Sequence, residues 1–185
     1  GGLFEELRKE SARFIASLPF SGFAVGGSFG SSFGDSKENT FRALEWIVPF
    51  LPGDRSRHLL GIGKTEDIFL AVERGIDTFD CVVPTREARH GALWTSNGRF
   101  DITRGRHAED TTPLVPGCEC PACASGTSRK DLYELFRAKN PEAGRIATMH
   151  NVYFFNDLMR QIREAISEQR FQKLKDSSIR RSRAR

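Results

Sequence analysis

A unit of strand, glycine-rich turn and helix recurs roughly every 25 to 30 residues in the first half of the chain, and it limits the fold more than any other feature. Such alternation predicts an α/β fold with a parallel sheet and right-handed crossovers. Both a doubly wound sheet and a piece of a (β/α)8 barrel satisfy it. In either fold, functional residues collect at the carboxyl ends of the strands. The predicted strands are residues 22–25, 58–63 and 78–83, and the predicted helices are residues 3–18, 37–48 and 65–74.

An acidic residue interrupts the third predicted strand. Asp80 lies in an apolar run that Pro84 closes, because proline cannot donate a hydrogen bond to a sheet. A buried ionised carboxylate normally has a partner or a task, so the residue admits two interpretations. Asp80 either caps the strand or pairs with Arg86 or Arg89, or it belongs to a functional site.

Glycine and serine dominate the loop that follows the first strand, residues 26–36. The loop has no G-K-[ST] ending, so it is not a P-loop. Its glycines either let the backbone approach a flat ligand closely or form a flexible surface loop.

Three of the four cysteines lie within six residues, as Cys118-x-Cys120-x-x-Cys123. Such clustering is typical of a metal site rather than a disulfide framework. Three thiolates and one imidazole satisfy tetrahedral Zn²⁺, and a site with four protein ligands is structural. His150, downstream of a predicted helix over residues 128–139, is the preferred fourth ligand. His107 is the alternative.

Basic residues concentrate in a predicted hairpin and at the chain end. The hairpin covers residues 91–104, with Asn97-Gly98 as a type I′ turn. The charge has two interpretations. It binds a polyphosphate partner, because the release of counterions favours binding of basic residues to a polyanion, or it belongs to a solvated, disordered tail, which is often basic. The net charge is +4. The residues concerned are Arg99, Arg104, Arg106, His107, Lys173, Lys175, Arg180, Arg181, Arg183 and Arg185.

No run nears the roughly 18 apolar residues that a membrane span requires, and the sequence starts with no signal-peptide pattern. We therefore expect a cytoplasmic protein with no membrane partner.

Taken together, three motifs resemble the queuine tRNA-ribosyltransferase (tRNA-guanine transglycosylase) family of bacterial type. They are the segment 79–86 with Arg89 and Gly91, the cysteine cluster with its distant His150-Asn151, and Ala24-Val25-Gly26-Gly27. The resemblance implies the C-terminal part of a (β/α)8 TIM barrel with an inserted β-hairpin and zinc-binding subdomain. The implied segments are barrel units (1–91), hairpin and zinc-binding insertion (92–127), zinc-subdomain and C-terminal helices (128–170) and a basic tail (171–185).

The resemblance also implies an activity. The family exchanges guanine at the wobble position of tRNAs with a GUN anticodon for a 7-deazaguanine base, preQ1 or queuine, through a covalent aspartyl-ribosyl intermediate. Asp80 matches the nucleophile. The remaining implied sites are base contacts at Gly26, Gly27, Leu60 and Gly61, tRNA contacts at Arg86, Arg89 and Lys64, and one structural Zn²⁺ held by Cys118, Cys120, Cys123 and His150.

Some features depart from the family pattern. Members begin well upstream of Gly1, so this chain is expected to be a fragment that does not turn over alone. The loop 28–33 is longer than usual, and Gly30 in it predicts a pocket that tolerates queuine. Members form homodimers through aromatic and histidine residues, where this chain has Thr127, Asp131 and Glu134. A non-catalytic, zinc-stabilised tRNA-binding subunit is the alternative function, although it would have no need of Asp80.

Overall fold

The fold is taken from a computed structural model that describes residues 2–26 and 37–183. The chain divides into two compact units, Gly1–Val82 and Val83–Arg185. Loop residues 27–36, including Gly27 and Gly30, lie outside the described residues.

The first unit is a three-stranded parallel sheet with helices between the strands. The sheet order is β1-β2-β3, with Phe23 opposite Arg57 and Leu59 opposite Phe79. Each connection contains a helix, as parallel strands require. The elements are α1 (Glu5–Ala16), β1 (Gly22–Val25), α2 (Lys37–Ile47), β2 (Ser56–Leu60), α3 (Thr65–Glu73) and β3 (Thr78–Asp80). The predicted α/β class and parallel sheet are thus confirmed.

The core of this unit comes from alternate strand residues packed against α2. Phe23 and Val25 on β1 are buried, whereas Gly22 and Ala24, which alternate with them, are exposed. Leu44 of α2 is fully buried in the same cluster. In α1 only Ala12 is buried, and the apolar side chains of its predicted face are exposed. That exposed set comprises Leu3, Leu7, Phe14 and Ile15.

Two predicted strands have different bounds. Strand β2 begins two residues earlier than predicted and ends at Leu60, because Gly61 turns the chain with a φ of +76°. Strand β3 stops at Asp80 instead of Val83, and it is not buried, since both Thr78 and Asp80 are exposed. The following helix, α4 (Val83–Arg89), begins at Val83. Pro84 favours this start, because the first turn of a helix has no use for the missing N–H.

The second unit combines α4, one antiparallel hairpin and four further helices. The elements are β4 (Ala92–Thr95), β5 (Gly98–Asp101), α5 (Pro121–Ala124), α6 (Arg129–Arg137), α7 (Pro141–Ser167) and α8 (Phe171–Arg183). Helix α6 starts at a capping box in which Ser128 and Asp131 exchange hydrogen bonds. Helix α7 starts at Asn140, whose side chain accepts from the N–H of Glu142. It forms the core with α4, and Ala88, Ala143 and Ala147 are buried there.

The hairpin forms, but its turn differs from the prediction by one residue. Thr95 pairs with Gly98, so the two turn residues are Ser96 and Asn97 rather than Asn97 and Gly98. The Thr95 hydroxyl accepts from the N–H of Asn97 at 3.1 Å and donates to the carbonyl of Gly98 at 2.8 Å. Gly98, the first residue after the turn, has a φ of +100°, a conformation that glycine adopts without strain.

The basic chain end is not an unstructured tail as far as it is described. Residues 171–183 form α8, in which Lys175 is buried. Among the described residues, no helix combines the length and apolar character needed to cross a membrane.

Candidate functional site

The predicted base-binding and nucleophilic positions meet at the carboxyl edge of the first sheet. Strand register places Leu60 opposite Asp80 and Leu59 opposite Val25, so Gly26, Leu60 and Asp80 follow one another across this edge. Parallel strands all direct their carboxyl ends to one edge, which explains why residues so far apart in sequence converge.

Asp80 is accessible at this edge. Its side chain is 63% exposed, so an incoming ligand can reach the carboxylate without a rearrangement of the core. The main-chain N–H of Gly61 donates to the Asp80 carbonyl at 3.0 Å and lies 3.4 Å from Oδ1. The carboxylate is therefore held at the end of β3 but keeps acceptor capacity towards solvent.

His58 is a neighbour of Asp80 that sequence reasoning missed. Its Nε2 lies 3.1 Å from Asp80 Oδ1, and its Nδ1 lies 2.8 Å from the Thr78 hydroxyl. His58 and Leu60 are two positions apart on β2, so both side chains lie on the same face of the strand. A polar residue on the strand next to a candidate nucleophile was the available signal, but the pairing register was needed to use it.

The glycine at the end of β1 permits a close approach to its neighbour. A Cβ added to Gly26 would lie 2.7 Å from Leu60 Cδ1, so a larger residue would displace the leucine. Gly26 also lines a cavity of about 220 Å³, and its carbonyl accepts from Arg8 at 3.0 Å. Leu60 itself is 43% exposed, which leaves an apolar surface available beside Asp80.

The three predicted tRNA contacts lie on helix termini. Lys64 is the exposed N-cap residue of α3 in the first unit. Arg86 and Arg89 are exposed in the last turn of α4 in the second unit, and their spacing of three places both on one helix face. Neither arginine forms an ion pair with any part of the chain that the structure describes. Both guanidinium groups therefore remain available to an anionic partner.

The predicted metal ligands converge into one compact cluster. The ligand atoms of Cys118, Cys120, Cys123 and His150 all lie within 4.8 Å of one another. His150 Nδ1 is 3.7, 3.5 and 3.6 Å from the three sulfurs in chain order. A tetrahedral Zn²⁺ with Zn–S of about 2.3 Å and Zn–N of about 2.0 Å would separate sulfur and nitrogen by about 3.5 Å. The four side chains therefore fit a structural zinc ion, as the resemblance implies.

Local structure explains how a short segment supplies three sulfurs. Gly117 turns the chain with a φ of +74° just before Cys118. Cys120 is the N-cap of α5, where its sulfur accepts from the N–H of Cys123 at 3.3 Å. An N–H directed at a sulfur favours the thiolate, the form that binds a metal. His107, the alternative fourth ligand, is buried next to Asp110 and is not part of the cluster.

A main-chain carbonyl orients the histidine ligand. His150 Nε2 donates to the carbonyl of Trp94 at 2.8 Å, which leaves the lone pair on Nδ1 directed at the sulfurs. Burial lowers the pKa of His150, so the imidazole is neutral at pH 7. Burial also raises the pKa of the Cys118 and Cys123 thiols, because thiolates are poorly solvated there. A metal cation bound between the sulfurs would instead favour the thiolate form of these cysteines.

Asn151 completes this arrangement, and sequence reasoning did not assign it a role of its own. It is fully buried and makes three hydrogen bonds. Its Oδ1 accepts from the N–H of Trp94 at 3.0 Å, and its Nδ2 donates to the carbonyls of Ala92 at 2.9 Å and Pro84 at 3.0 Å. The side chains of His150 and Asn151 thus form hydrogen bonds with the main-chain groups on the outer edge of β4, as the main chain of a neighbouring strand would.

Comparison with known proteins gives consistent relatives. A sequence profile of the family described as queuine tRNA-ribosyltransferase matches residues 1–184. The chain is 44% identical over 179 residues to the queuine tRNA-ribosyltransferase of Desulforudis audaxviator, covering 97% of this chain and 47% of the relative. It is 46% identical over 171 residues to that of Actinobacillus pleuropneumoniae serotype 3, covering 92% and 44% respectively. The chain spans about half the length of the curated relatives it matches.

Proposed function

The chain belongs to the queuine tRNA-ribosyltransferase family, and we propose that it forms the nucleophile-bearing and zinc-binding part of a tRNA-guanine transglycosylase. The proposed reaction exchanges guanine at the wobble position of GUN-anticodon tRNAs for a 7-deazaguanine base. The observation that carries the proposal is the exposed carboxylate of Asp80 at the carboxyl edge of a parallel sheet, in a chain whose relatives carry this name.

Asp80 is proposed as the nucleophile. Its carboxylate attacks C1′ of the ribose, the bond from C1′ to the guanine nitrogen breaks, and guanine leaves with that electron pair and takes up a proton. The incoming base then attacks C1′, loses a proton and releases the carboxylate from its ester. Two inversions restore the original configuration, as in retaining glycosidases. The nucleotide must leave the base stack first, which an exposed carboxylate at a sheet edge permits.

The neighbouring residues supply the proposed binding surfaces. The close contact of Gly26 with Leu60 and the apolar exposure of Leu60 support a platform for a flat base at Gly26, Gly27, Leu60 and Gly61. The available charges of Arg86, Arg89 and Lys64 support contacts to the anticodon loop, because guanidinium groups bind phosphate and base edges. The same proposal includes a homodimer. It also places further base-binding residues in the part of the relatives that this chain does not cover.

The zinc site has a structural role in this proposal. The three strand–helix units would be part of a (β/α)8 barrel, and the hairpin with its zinc-binding subdomain an insertion into it. When bound, Zn²⁺ would supply cross-linking of α5 to α7 rather than chemistry, since all four positions are taken by protein ligands.

Substitution of Asp80 by Asn tests the function. The protein is taken at the full length of its relatives and incubated with a GUN-anticodon tRNA, and a denaturation-resistant protein–tRNA adduct is measured. The wild type should form the adduct and exchange guanine, whereas Asp80→Asn should do neither, because an amide is a poor nucleophile. Asp77→Asn is the matched control, since within the part of the chain that the structure describes the Asp77 side chain makes a single hydrogen bond, which it accepts from the N–H of Arg57.

The alternative function predicts another result. A non-catalytic, zinc-stabilised tRNA-binding subunit would bind tRNA without an adduct and without exchange, whichever residue stands at position 80. Persistence of the adduct in Asp80→Asn would refute the assignment of the nucleophile.

A further inference from the structure

The second unit contains a cavity that neither the sheet edge nor the metal cluster uses. Its volume is about 710 Å³, and it lies between β5, the turn before Asp110 and the start of α6. Three arginines, one histidine and one carboxylate surround an aromatic ring. The lining residues are Arg99, Phe100, Arg106, His107, Asp110 and Arg129.

Hydrogen bonds hold the polar groups of this cavity in a fixed chain. Arg106 Nε donates to His107 Nε2 at 3.2 Å, so the histidine carries its proton on Nδ1. His107 Nδ1 then donates to Asp110 Oδ2 at 3.3 Å, and Arg129 Nη1 donates to the same oxygen at 3.2 Å. The Thr112 hydroxyl, and after it Arg129, keep the pKa of Asp110 well below its usual range, so it remains a carboxylate.

The lining has an excess of positive charge. Arg129 is matched by Asp110, and Arg99 by Glu87 at 2.9 Å. Arg106 is exposed, its Nε donates to His107, and it has no carboxylate partner among residues 2–26 and 37–183. Its two terminal nitrogens make no hydrogen bond to the described residues, and a guanidinium can donate from two nitrogens to two oxygens of one phosphate.

Packing makes this cationic wall rigid. The guanidinium carbon of Arg129 lies 5.1 Å from the centre of the Phe100 ring, which in turn packs 5.7 Å from the ring of His107. His107 is 4% exposed and Phe100 is 6% exposed, so neither can move without opening the core. A preordered site loses less conformational entropy on binding than a flexible surface lysine does.

We propose that this cavity binds a backbone phosphate of the RNA substrate, with Arg106 as the principal ligand and Arg129 beside it. The proposal rests on the proposed function, which makes tRNA the partner. A phosphate contact here would fix the position of the RNA without reading its sequence. Arg106 is thus a binding residue separate from the predicted anticodon contacts Arg86 and Arg89.

The test compares Arg106→Gln with Arg145→Gln in the protein taken at the full length of its relatives. Arg145 is a matched control, because it is an exposed arginine of the same unit whose partners among the described residues are Glu142 and Met149 of its own helix. Affinities for two RNA hairpins, one with a GUN anticodon and one with a scrambled loop of equal length, are measured from 50 to 200 mM salt. Zinc content and the unfolding midpoint verify that each variant is folded.

The expected result is a salt dependence that weakens only in Arg106→Gln. The slope of log affinity against log salt should fall in magnitude by about 0.7 to 1, the amount for one lost phosphate contact. The loss should be equal for both hairpins, and Arg106→Lys should recover part of the affinity because the charge is restored without the fork.

Three results would overturn the proposal. Equal slopes for Arg106→Gln and Arg145→Gln would show that only net charge matters, and a loss confined to the GUN hairpin would show base recognition. Failure of the wild type to bind either hairpin would refute this site together with the tRNA partner. The first of these results, in an enzyme that still exchanges guanine, would refute the phosphate site alone.

Discussion

Replacement of Asn151 by alanine is the sharpest test of how the second unit is held together. Asn151 links α7 to β4 and α4 through three hydrogen bonds of 2.9 to 3.0 Å, of which the two to β4 are buried and the one to Pro84 is partly buried. The substitution keeps the helix, since alanine is the best helix former. It removes the amide oxygen and nitrogen that pair with the Trp94 N–H and the Ala92 carbonyl on the outer edge of β4. His150 cannot replace them, because its Nε2 already donates to the Trp94 carbonyl.

The structure sets the expected magnitude. Alanine leaves the buried N–H of Trp94 without a partner, at a cost of about 1 to 3 kcal/mol, and each carbonyl loses a hydrogen bond of about 1 kcal/mol. The carbonyls of Ala92 and Pro84 lie within β4 and α4, where main-chain hydrogen bonding is expected to offset part of the loss at these two groups. The free energy of unfolding should therefore fall by about 3 to 4 kcal/mol.

Urea unfolding of the zinc-loaded chain measures this loss. A Trp46→Phe background leaves Trp94, which contacts the substituted side chain, as the remaining tryptophan of the two. Asn156→Ala is the control, because Asn156 is an exposed asparagine of the same helix whose partner among the described residues is the Val152 carbonyl of that helix. The control should change stability by less than about 0.5 kcal/mol. A difference between the two variants below about 1 kcal/mol would refute the reasoning.

Three further predictions concern zinc binding and turnover. The purified chain should hold about one equivalent of zinc and His150→Ala much less, and a wild-type content below about half an equivalent would contradict a structural site. Binding of zinc to the metal-free chain at pH 7 should release about three protons, measured by calorimetry in buffers of different ionisation enthalpy. The sign follows because the raised pKa values of Cys118 and Cys123 keep those thiols protonated before binding, whereas the lowered pKa of His150 leaves it neutral, so affinity falls as pH falls. Release of one proton or fewer would contradict this. The 185 residues alone should exchange no guanine into tRNA, since they span about half of their relatives, and measurable exchange would refute that expectation.

Local patterns were sufficient for much of the fold. Strand β1 and the order of helices and strands follow from apolar periodicity, proline and glycine, all of which act within a few residues. The error at Val82 and Val83 arose because two β-branched residues favour a strand, while Pro84 favours the first turn of a helix. The one-residue shift of the hairpin turn arose because the Thr95 hydroxyl competes with the glycine signal.

By itself, the sequence determined the α/β class, the parallel sheet and the cysteine cluster as a metal site, because periodicity and ligand chemistry are local properties. It left both His150 and His107 open as the fourth ligand, and the tertiary structure decided for His150. Only the tertiary structure decided that His58 faces Asp80, that Asn151 serves the open edge of β4, and that Arg106 borders a cationic cavity. The first two depend on strand register and on helix packing between residues more than 20 positions apart in sequence. The third depends on how the chain folds around Phe100. Such contacts follow from the summed packing of the whole unit, which no short window of sequence contains.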